Sequence, residues 1–165
     1  MERPIVGYGQ DEEGVPIAWL SCGHAQHIRH NPPFVNRPWV LTEEGRARML
    51  GQPLNCVRCD ELELPDDFVP YDRTETVTEA DLAATPEATR PTPAGIWSRL
   101  VVLDGQLRLR IPRLAVDLEL SPTQSGTIPP EVAYTLGPVG KVQFCREFYS
   151  SRGQYQAWVR DILSN

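Results

Sequence analysis

The residues best suited to chemistry stand in two close pairs, Cys22 with His24 and Cys56 with Cys59. Thiolate sulfur and imidazole nitrogen are the usual ligands of structural zinc sites, which take four of them in a tetrahedron. Within each pair the spacing is short enough for one turn of the chain to direct both side chains at one ion. We therefore predict a metal site made by these four residues, with Zn²⁺ as the leading ion.

Two more imidazoles lie beside the first pair, at His27 and His30, and the chain has three histidines in all. They are candidates for hydrogen bonding around the site, for replacing His24 as a ligand, or for joining Cys22 in an open copper or iron centre. A [2Fe–2S] cluster with three cysteines and one histidine also fits this set of ligands. The sequence leaves these alternatives open.

The composition limits the kinds of partner. The chain has 165 residues, a formal net charge of −6 and an isoelectric point near 5.1. A general electrostatic attraction to nucleic acid or to an anionic membrane is therefore not expected. No apolar run approaches the length of a membrane span, and the first residues lack the apolar core of a signal peptide. We predict a cytoplasmic protein whose partner is a small molecule, an anion or another protein.

A cytoplasmic location supports metal binding, because thiols stay reduced there and clustered cysteines then indicate metal sites more than disulfides. One local feature favours a different partner, nucleic acid. Arginines accompany the cluster and could form a basic patch for nucleic acid: Arg29, Arg37, Arg46, Arg48 and Arg58.

The elements that must position the cluster are short. Residues 4–8 and 16–20 are β-rich and flank a polar turn, which predicts a hairpin. Thr42 is a suitable N-cap for a helix over residues 43–51, with acidic residues in its first turn. We predict an α+β zinc-binding module over residues 1–61, made of a β-hairpin and a short helix.

The second part of the chain has a β pattern. Asp104-Gly105, between apolar runs at 97–103 and 106–111, predicts a hairpin. Residues 114–120 alternate apolar and polar side chains, as a half-buried strand does. We predict an all-β domain over residues 62–150, built as a small antiparallel barrel or jelly roll, and a tail over 151–165 with a short helix at 154–163.

The first part resembles a small bacterial family of unknown function. The resemblance rests on C-G-H-x-Q-H-x-R-H-x-P-P at residues 22–33, followed by the distal C-x-x-C at residues 56–59. It covers residues 3–60. The resemblance names no activity, but it implies that Cys22, His24, Cys56 and Cys59 belong to one site.

Residues 64–150 resemble the cupin-like domain of tellurite-resistance-related proteins. The matching motifs are Leu64-Pro65, Pro70-Tyr71-x-Arg73-Thr74, Thr92-x-x-Gly95-x-Trp97-x-x-Leu100, Pro129-Pro130 and Glu147-Phe148-Tyr149. The resemblance implies a small double-stranded barrel whose mouth holds a ligand or a metal.

The barrel mouth departs from that family where its histidines would stand, because Arg90 and Tyr134 occupy those positions and residues 31–165 contain no histidine. Metal chemistry in the barrel is therefore not expected. The pocket that the resemblance implies is lined by Arg90, Tyr134, Cys145 and Glu147. An arginine there would suit a small anion or a carboxylate.

These observations predict a zinc-binding protein of two domains, with a degenerate cupin that binds a small anion or a partner protein. The resemblance of the second part implies a setting of metal or oxyanion stress of the tellurite kind. An enzyme is the less favoured interpretation. The first alternative is a metalloenzyme, an oxidoreductase or hydrolase, with an open Cys/His site in the N-terminal module. The second is a nucleic-acid or regulatory module that uses the arginine patch.

Overall fold

The computed structural model describes residues 1–84 and 89–153, and the chain forms two compact units, Met1–Glu61 and Leu62–Asn165. The helix predicted at residues 154–163 lies outside the described residues. Within the described part, no helix is long and apolar enough to cross a membrane.

The first unit is built on a four-stranded antiparallel sheet. Its strands are β1 (Glu2–Gln10), β2 (Pro16–Leu20), β3 (Ala25–His27) and β4 (Pro53–Asn55). Their order in the sheet is β3-β2-β1-β4. The predicted hairpin is present as β1 and β2, and two short strands extend it on either side.

Local hydrogen bonds close the turn between β1 and β2. The Asp11 carboxylate accepts from the backbone N–H groups of Glu13, at 2.9 Å, and Val15, at 2.7 Å. Gly14 adopts a left-handed φ of 78° that most side chains disfavour. The turn therefore fixes which residues of the two strands face each other.

The helical parts of the first unit are short. A 3₁₀ turn at Pro38–Leu41 precedes α1 (Glu43–Arg48), and α2 (Val57–Asp60) follows β4. The Thr42 hydroxyl accepts from the Gly45 N–H at 3.0 Å, which makes Thr42 the predicted N-cap of α1. The helix ends three residues earlier than the sequence indicated.

The apolar core of the first unit is small. It consists mainly of a few fully or nearly fully buried aliphatic side chains: Ile5, Ile17, Ala18, Leu20, Ile28 and Val40. Three cysteines and His24 are buried beside them. A core of this size gives limited stability to a unit of about 60 residues.

The second unit is mostly β and contains one curled sheet of six strands. The strands are β5 (Phe68–Arg73), β6 (Val77–Thr78), β7 (Trp97–Ile111), β8 (Val116–Leu120), β9 (Gly126–Ile128) and β10 (Thr135–Ser151). Two long strands, β7 and β10, pair along most of their length. The shorter strands pair with their outer edges, β8 and β9 on β7, and β5 and β6 on β10.

The hairpin predicted at Asp104-Gly105 is wrong, because β7 runs through both residues without turning. Gly105 lies instead opposite a bulge in β10, where the pairing shifts between Val139 and Val142. Its φ is 78°, and a Cβ at this position would clash with the backbone carbonyl of Lys141. Glycine in an Asp-Gly pair commonly makes a two-residue turn. In this protein Gly105 instead accommodates the bulge of β10.

The second unit is also not purely β. Helix α3 (Glu79–Ala84) follows β6, and a 3₁₀ turn lies at Pro112–Leu114. The Glu79 carboxylate accepts from the Val142 N–H at 3.0 Å, which ties the start of α3 to β10. The largest buried side chains of this unit come from β7 and β10, with Trp97 and Phe144 fully enclosed.

Candidate metal centre

The first pair of predicted ligands lies in the tight turn between β2 and β3. The Gly23 N–H donates to the Leu20 carbonyl at 2.8 Å, and the Leu20 N–H donates to the His24 carbonyl at 3.0 Å. Gly23 has a φ of 93°, a value that favours glycine. This turn brings the side chains of Cys22 and His24 to the same side.

The second pair lies on α2. Cys56 is the residue that precedes the helix, and Cys59 lies within it. The Cys56 N–H donates to the Met1 carbonyl at 2.7 Å, and the Met1 amino group donates to the Asp60 carboxylate at 2.5 Å. Residues on both sides of the C-x-x-C turn are thus held to the start of β1.

The structure brings the four predicted ligands together. One ligand atom from each of Cys22, His24, Cys56 and Cys59 lies within 4.8 Å of every other, and all four residues are buried. The histidine presents Nδ1 to the three sulfurs, at 3.5 Å from Cys22, 3.3 Å from Cys56 and 3.8 Å from Cys59. The sulfurs of Cys22 and Cys56 are 3.9 Å apart, and all three cysteines are free thiols.

These distances fit one tetrahedral ion. Bonds of about 2.3 Å to sulfur and about 2.0 Å to nitrogen put two sulfurs about 3.8 Å apart and sulfur and nitrogen about 3.5 Å apart. The three sulfur–nitrogen distances and the distance between the Cys22 and Cys56 sulfurs lie within a few tenths of an ångström of those values. The residues therefore form a group that can hold a metal ion.

The ionisable side chains of the cluster shift one another's pKa values. Burial works against a charged His24 ring, but the thiols of Cys22 and Cys56 outweigh it and raise the pKa of His24 to about 9. A hydrogen bond with Cys22 lowers the pKa of Cys56. The pKa of Cys59 is raised by its hydrogen bonds with Cys22 and Cys56 and by burial. Three thiolates in one buried site repel one another, and a cation bound among them removes this repulsion.

The other two histidines lie outside this group. The half-exposed His27 ring places Nε2 2.7 Å from the Asp11 carboxylate, in the turn between β1 and β2. Nδ1 of His30 accepts from the Arg37 N–H at 3.0 Å, across a loop closed by the bridge between Asn31 and Val35. Both imidazoles hold loops of the first unit in place.

A cavity of about 210 Å³ lies against the outer side of the cluster. It is lined by His24, Ala25, Gln26, Asn55, Cys56, Val57 and Arg58. The ligands themselves are almost inaccessible, with His24 1% exposed and Cys56 4% exposed. With four protein ligands in a buried position, the group has the form of a closed structural site and not of an open catalytic one.

Three of the four residues expected at the barrel mouth have the following burial and contacts. Arg90 is exposed, and its backbone carbonyl accepts from the Arg146 guanidinium at 2.9 Å. Cys145 is completely buried, and burial raises the pKa of its thiol. Glu147 is half-buried and accepts from the Tyr149 hydroxyl at 2.7 Å.

Among the described residues of the second unit, the buried cation is Arg146, which the sequence analysis did not single out. Its guanidinium carbon lies 5.3 Å from the centre of the Tyr134 ring and 5.0 Å from that of Phe148. Only 4% of the residue is exposed, and burial lowers the pKa of its side chain. The available signal was an arginine between large apolar residues, as in Phe144-Cys145-Arg146-Glu147-Phe148, because a charge in such a strand needs aromatic or polar neighbours.

Comparison with known proteins divides the chain in the same way as its motifs. Residues 6–63 match the family described as a protein of unknown function (DUF3565), and residues 73–145 match the TehB-like domain. No curated protein matches the sequence significantly.

Two solved structures are similar to part of the chain. TehB from Haemophilus influenzae is 17% identical over 55% of this chain and 34% of its own, with a TM-score of 0.47. A protein from E. coli strain K12 is 17% identical over 54% of this chain and 88% of its own, with a TM-score of 0.42. The chain thus spans about a third of the Haemophilus protein. In this chain a match to DUF3565 thus precedes a match to the TehB-like domain, the combination that its motifs predicted.

Proposed function

We propose that the protein is a zinc-dependent binding protein of two domains. A zinc module over residues 1–61 is followed by a degenerate cupin over residues 62–150 and a tail over residues 151–165. The observation that carries the zinc is the group of four buried ligand atoms within 4.8 Å of one another. In this proposal Cys22, His24, Cys56 and Cys59 hold one Zn²⁺ that stabilises the fold.

The spacing favours a single ion over an iron–sulfur cluster. In a [2Fe–2S] cluster the four protein ligands are shared between two irons, so ligands on different irons stand farther apart than ligands of one ion. In this cluster Nδ1 of His24 lies within 3.8 Å of all three sulfurs. Zinc suits the site among single ions because it takes a tetrahedron of sulfur and nitrogen ligands and has no redox chemistry.

The closed arrangement supports a structural role over catalysis. A catalytic zinc usually keeps one position for water or substrate, and three protein ligands hold the ion. Here four protein ligands are available, and His27 and His30 are engaged with Asp11 and Arg37. The small apolar core of this unit gives a metal ion a clear task in folding.

For the second unit we propose a cupin-like pocket that binds a small anion or a partner protein, in a cytoplasmic response to oxyanions of the tellurite kind. The support is the match to the TehB-like domain and the buried guanidinium of Arg146 between Tyr134 and Phe148. The domain has no histidine, so an anion suits it better than a transition metal.

Elemental analysis of the purified full chain tests the zinc proposal. We expect one zinc per chain after dialysis, and X-ray absorption at the zinc edge should show three sulfur ligands and one nitrogen ligand. A protein that is folded and contains no metal, or one that contains two irons with inorganic sulfide, would refute the proposal.

The anion proposal has its own test. Tellurite and sulfate would be titrated into the isotope-labelled full chain, and the amide signals of Tyr134, Arg146 and Phe148 would be followed by NMR. Saturable shifts at these residues support an anion pocket. Unchanged signals with both anions would leave the second unit without its proposed ligand, and the zinc proposal would be unaffected.

A further inference from the structure

The first unit contains a second cavity, separate from the metal centre. Its volume is about 390 Å³, and it is lined by Tyr8, Gly9, Gln10, Pro16, Ile17, Ile28 and Arg46. None of the four predicted metal ligands is among these residues. We propose that this cavity binds a small organic anion with one carboxylate and an apolar body.

The size of the cavity suits such a ligand, and its lining combines apolar and polar groups. Ligand sites in proteins are typically about 300–1,000 Å³ and mainly apolar, with a few polar groups that orient the ligand. Ile17 and Ile28 are almost completely buried in the lining, and the Ile28 N–H donates to the Pro16 carbonyl at 3.0 Å. Tyr8 and Pro16, which are more exposed, provide the apolar surface for an aliphatic or aromatic body.

The aromatic residue of the cavity lining, Tyr8, pairs with a second aromatic ring. Tyr8 lies on β1, and its ring centre is 6.3 Å from that of Trp39, with the two rings tilted by 54°. This separation falls within the range of favourable aromatic pairs. Trp39 belongs to the 3₁₀ turn that precedes α1, the helix that carries Arg46.

Arg46 supplies the charge that defines the ligand class. One of its terminal nitrogens, Nη1, donates to the Val40 carbonyl at 2.8 Å, which restrains the guanidinium next to the cavity. Among the described residues Arg46 forms no ion pair. A guanidinium matches a carboxylate in shape and charge, and its bonds to an anion are stronger than those between neutral groups.

The charge balance selects a monoanion. Arg46 is the only charged residue that lines the cavity. One positive charge neutralises one carboxylate, whereas a dianion such as phosphate would keep an uncompensated charge beside apolar walls. The Gln10 amide can donate one further hydrogen bond to the ligand.

The test uses the full zinc-containing chain with labelled isoleucine methyl groups, and benzoate as the probe. Ile17 and Ile28 belong to the cavity lining, so their methyl signals report binding in NMR titrations. We expect saturable shifts of both methyl signals with benzoate and much weaker binding of benzamide, which has the same shape without the charge. Inorganic phosphate should not reproduce the benzoate shifts.

Variants of two neighbouring arginines make the test specific. Arg46→Gln should weaken benzoate binding roughly tenfold or more, because it removes a charge-assisted contact. Arg46→Lys keeps the charge without the planar fork and should lose less. Arg48→Gln, on the same helix but outside the cavity lining, should bind benzoate like the parent chain.

Zinc content, measured on every variant, checks that the first unit is still folded. Arg46→Lys gives the decisive comparison if Arg46→Gln loses its zinc. Benzoate that leaves the Ile17 and Ile28 signals unchanged, or that binds as tightly as benzamide, would overturn the proposal, as would equal binding to the parent chain and both Arg46 variants. Loss of this proposal would not touch the zinc proposal, because the two sites share no residue.

Discussion

The contacts of its Nδ1 atom distinguish His24, a predicted metal ligand, from the two other histidines of the chain. Nδ1 faces the sulfurs of Cys22, Cys56 and Cys59, while His27 and His30 turn to other partners in the same unit. The spacing of the two pairs was enough to predict the first group. The other two imidazoles contact Asp11 and Arg37, and no local sequence pattern indicates these two partners.

Replacing one sulfur should release the metal and unfold the first unit. In Cys59→Ser we expect zinc per chain to fall to near zero, because a hydroxyl does not replace a buried thiolate ligand. Structural zinc contributes on the order of 10 kcal/mol to the folding of small modules, so the amides of residues 1–61 should lose their dispersion in an NMR spectrum.

Cys145→Ser is the matched control. Cys145 is as completely buried as Cys59 but lies on β10 in the second unit. This variant should keep its zinc and the spectrum of residues 1–61. A Cys59→Ser chain with full zinc and a native spectrum would contradict the predicted ligand set.

Tyr134 gives a prediction for alkaline pH. Burial raises its pKa to about 12, although the positive charge of Arg146 opposes the rise, and the unfolded value is 10.0. The folded state therefore holds this proton more tightly. Its stabilising effect is complete below pH 10 and is lost as pH rises from 10 towards 12, by about 2–3 kcal/mol in total.

The measurement is urea unfolding of the second unit at several pH values from 9 to 11.5, for the parent chain and for Tyr134→Phe. The ring that faces Arg146 is kept in this variant, and only the ionisable hydroxyl is removed. We expect a shallower loss of stability with pH in the variant. Parallel curves for the two chains would show that Tyr134 does not carry this proton linkage.

Elements whose signals are local were predicted well from the sequence. The hairpin of β1 and β2 follows from two β-rich runs around a polar turn, and α1 begins at its predicted N-cap, Thr42. The turn predicted at Asp104-Gly105 failed for a physical reason. A glycine with positive φ serves a tight turn and a bulge equally well, and the pairing of β7 with the distant β10 decides between them.

The bulge predicts different effects for two glycines of the second unit. In Gly105→Ala the new Cβ would clash with the Lys141 carbonyl, so the backbone of β7 or β10 must shift. Gly140→Ala has a similar φ of 74° but no atom within 4 Å of its new Cβ. It should cost only the strain of a left-handed backbone, about 1–2 kcal/mol, and Gly105→Ala should cost clearly more.

Hydrogen exchange of the amides in β7 and β10 measures both effects in the native state. The loss of protection should be larger for Gly105→Ala than for Gly140→Ala and should centre on residues 100–108. Equal losses in the two variants would mean that the clash at Gly105 is relieved without cost and that the bulge does not depend on glycine.

At the scale of the whole molecule, the two family matches could be predicted from the sequence, but the arginine that is buried could not. Motifs predicted both family matches. Arg90, the arginine that the resemblance implied for the pocket, is exposed, and the arginine that the structure buries is Arg146. Which arginine is enclosed depends on long-range pairing of β5, β7 and β10, and alternation along one strand does not determine it.

The last prediction concerns how metal is divided between the two units: the second unit should hold no transition metal of its own. Residues 62–165 contain no histidine and one cysteine. That cysteine, Cys145, is a poor ligand because burial raises the pKa of its thiol, and the neighbouring Glu147 already accepts from Tyr149 at 2.7 Å. Carboxylate and phenol oxygens alone hold Zn²⁺ or Fe²⁺ weakly.

The experiment replaces Cys22, Cys56 and Cys59 by serine in the full chain, loads the protein with Zn²⁺ or Fe²⁺ and counts the metal that survives dialysis. We expect none, while the parent chain treated in the same way keeps one zinc. NMR signals of β7 and β10 show whether the second unit is folded during the measurement. A stoichiometric ion in the triple variant, with that unit intact and with the ring signals of His24, His27 and His30 unshifted by the ion, would place a metal site in the second unit.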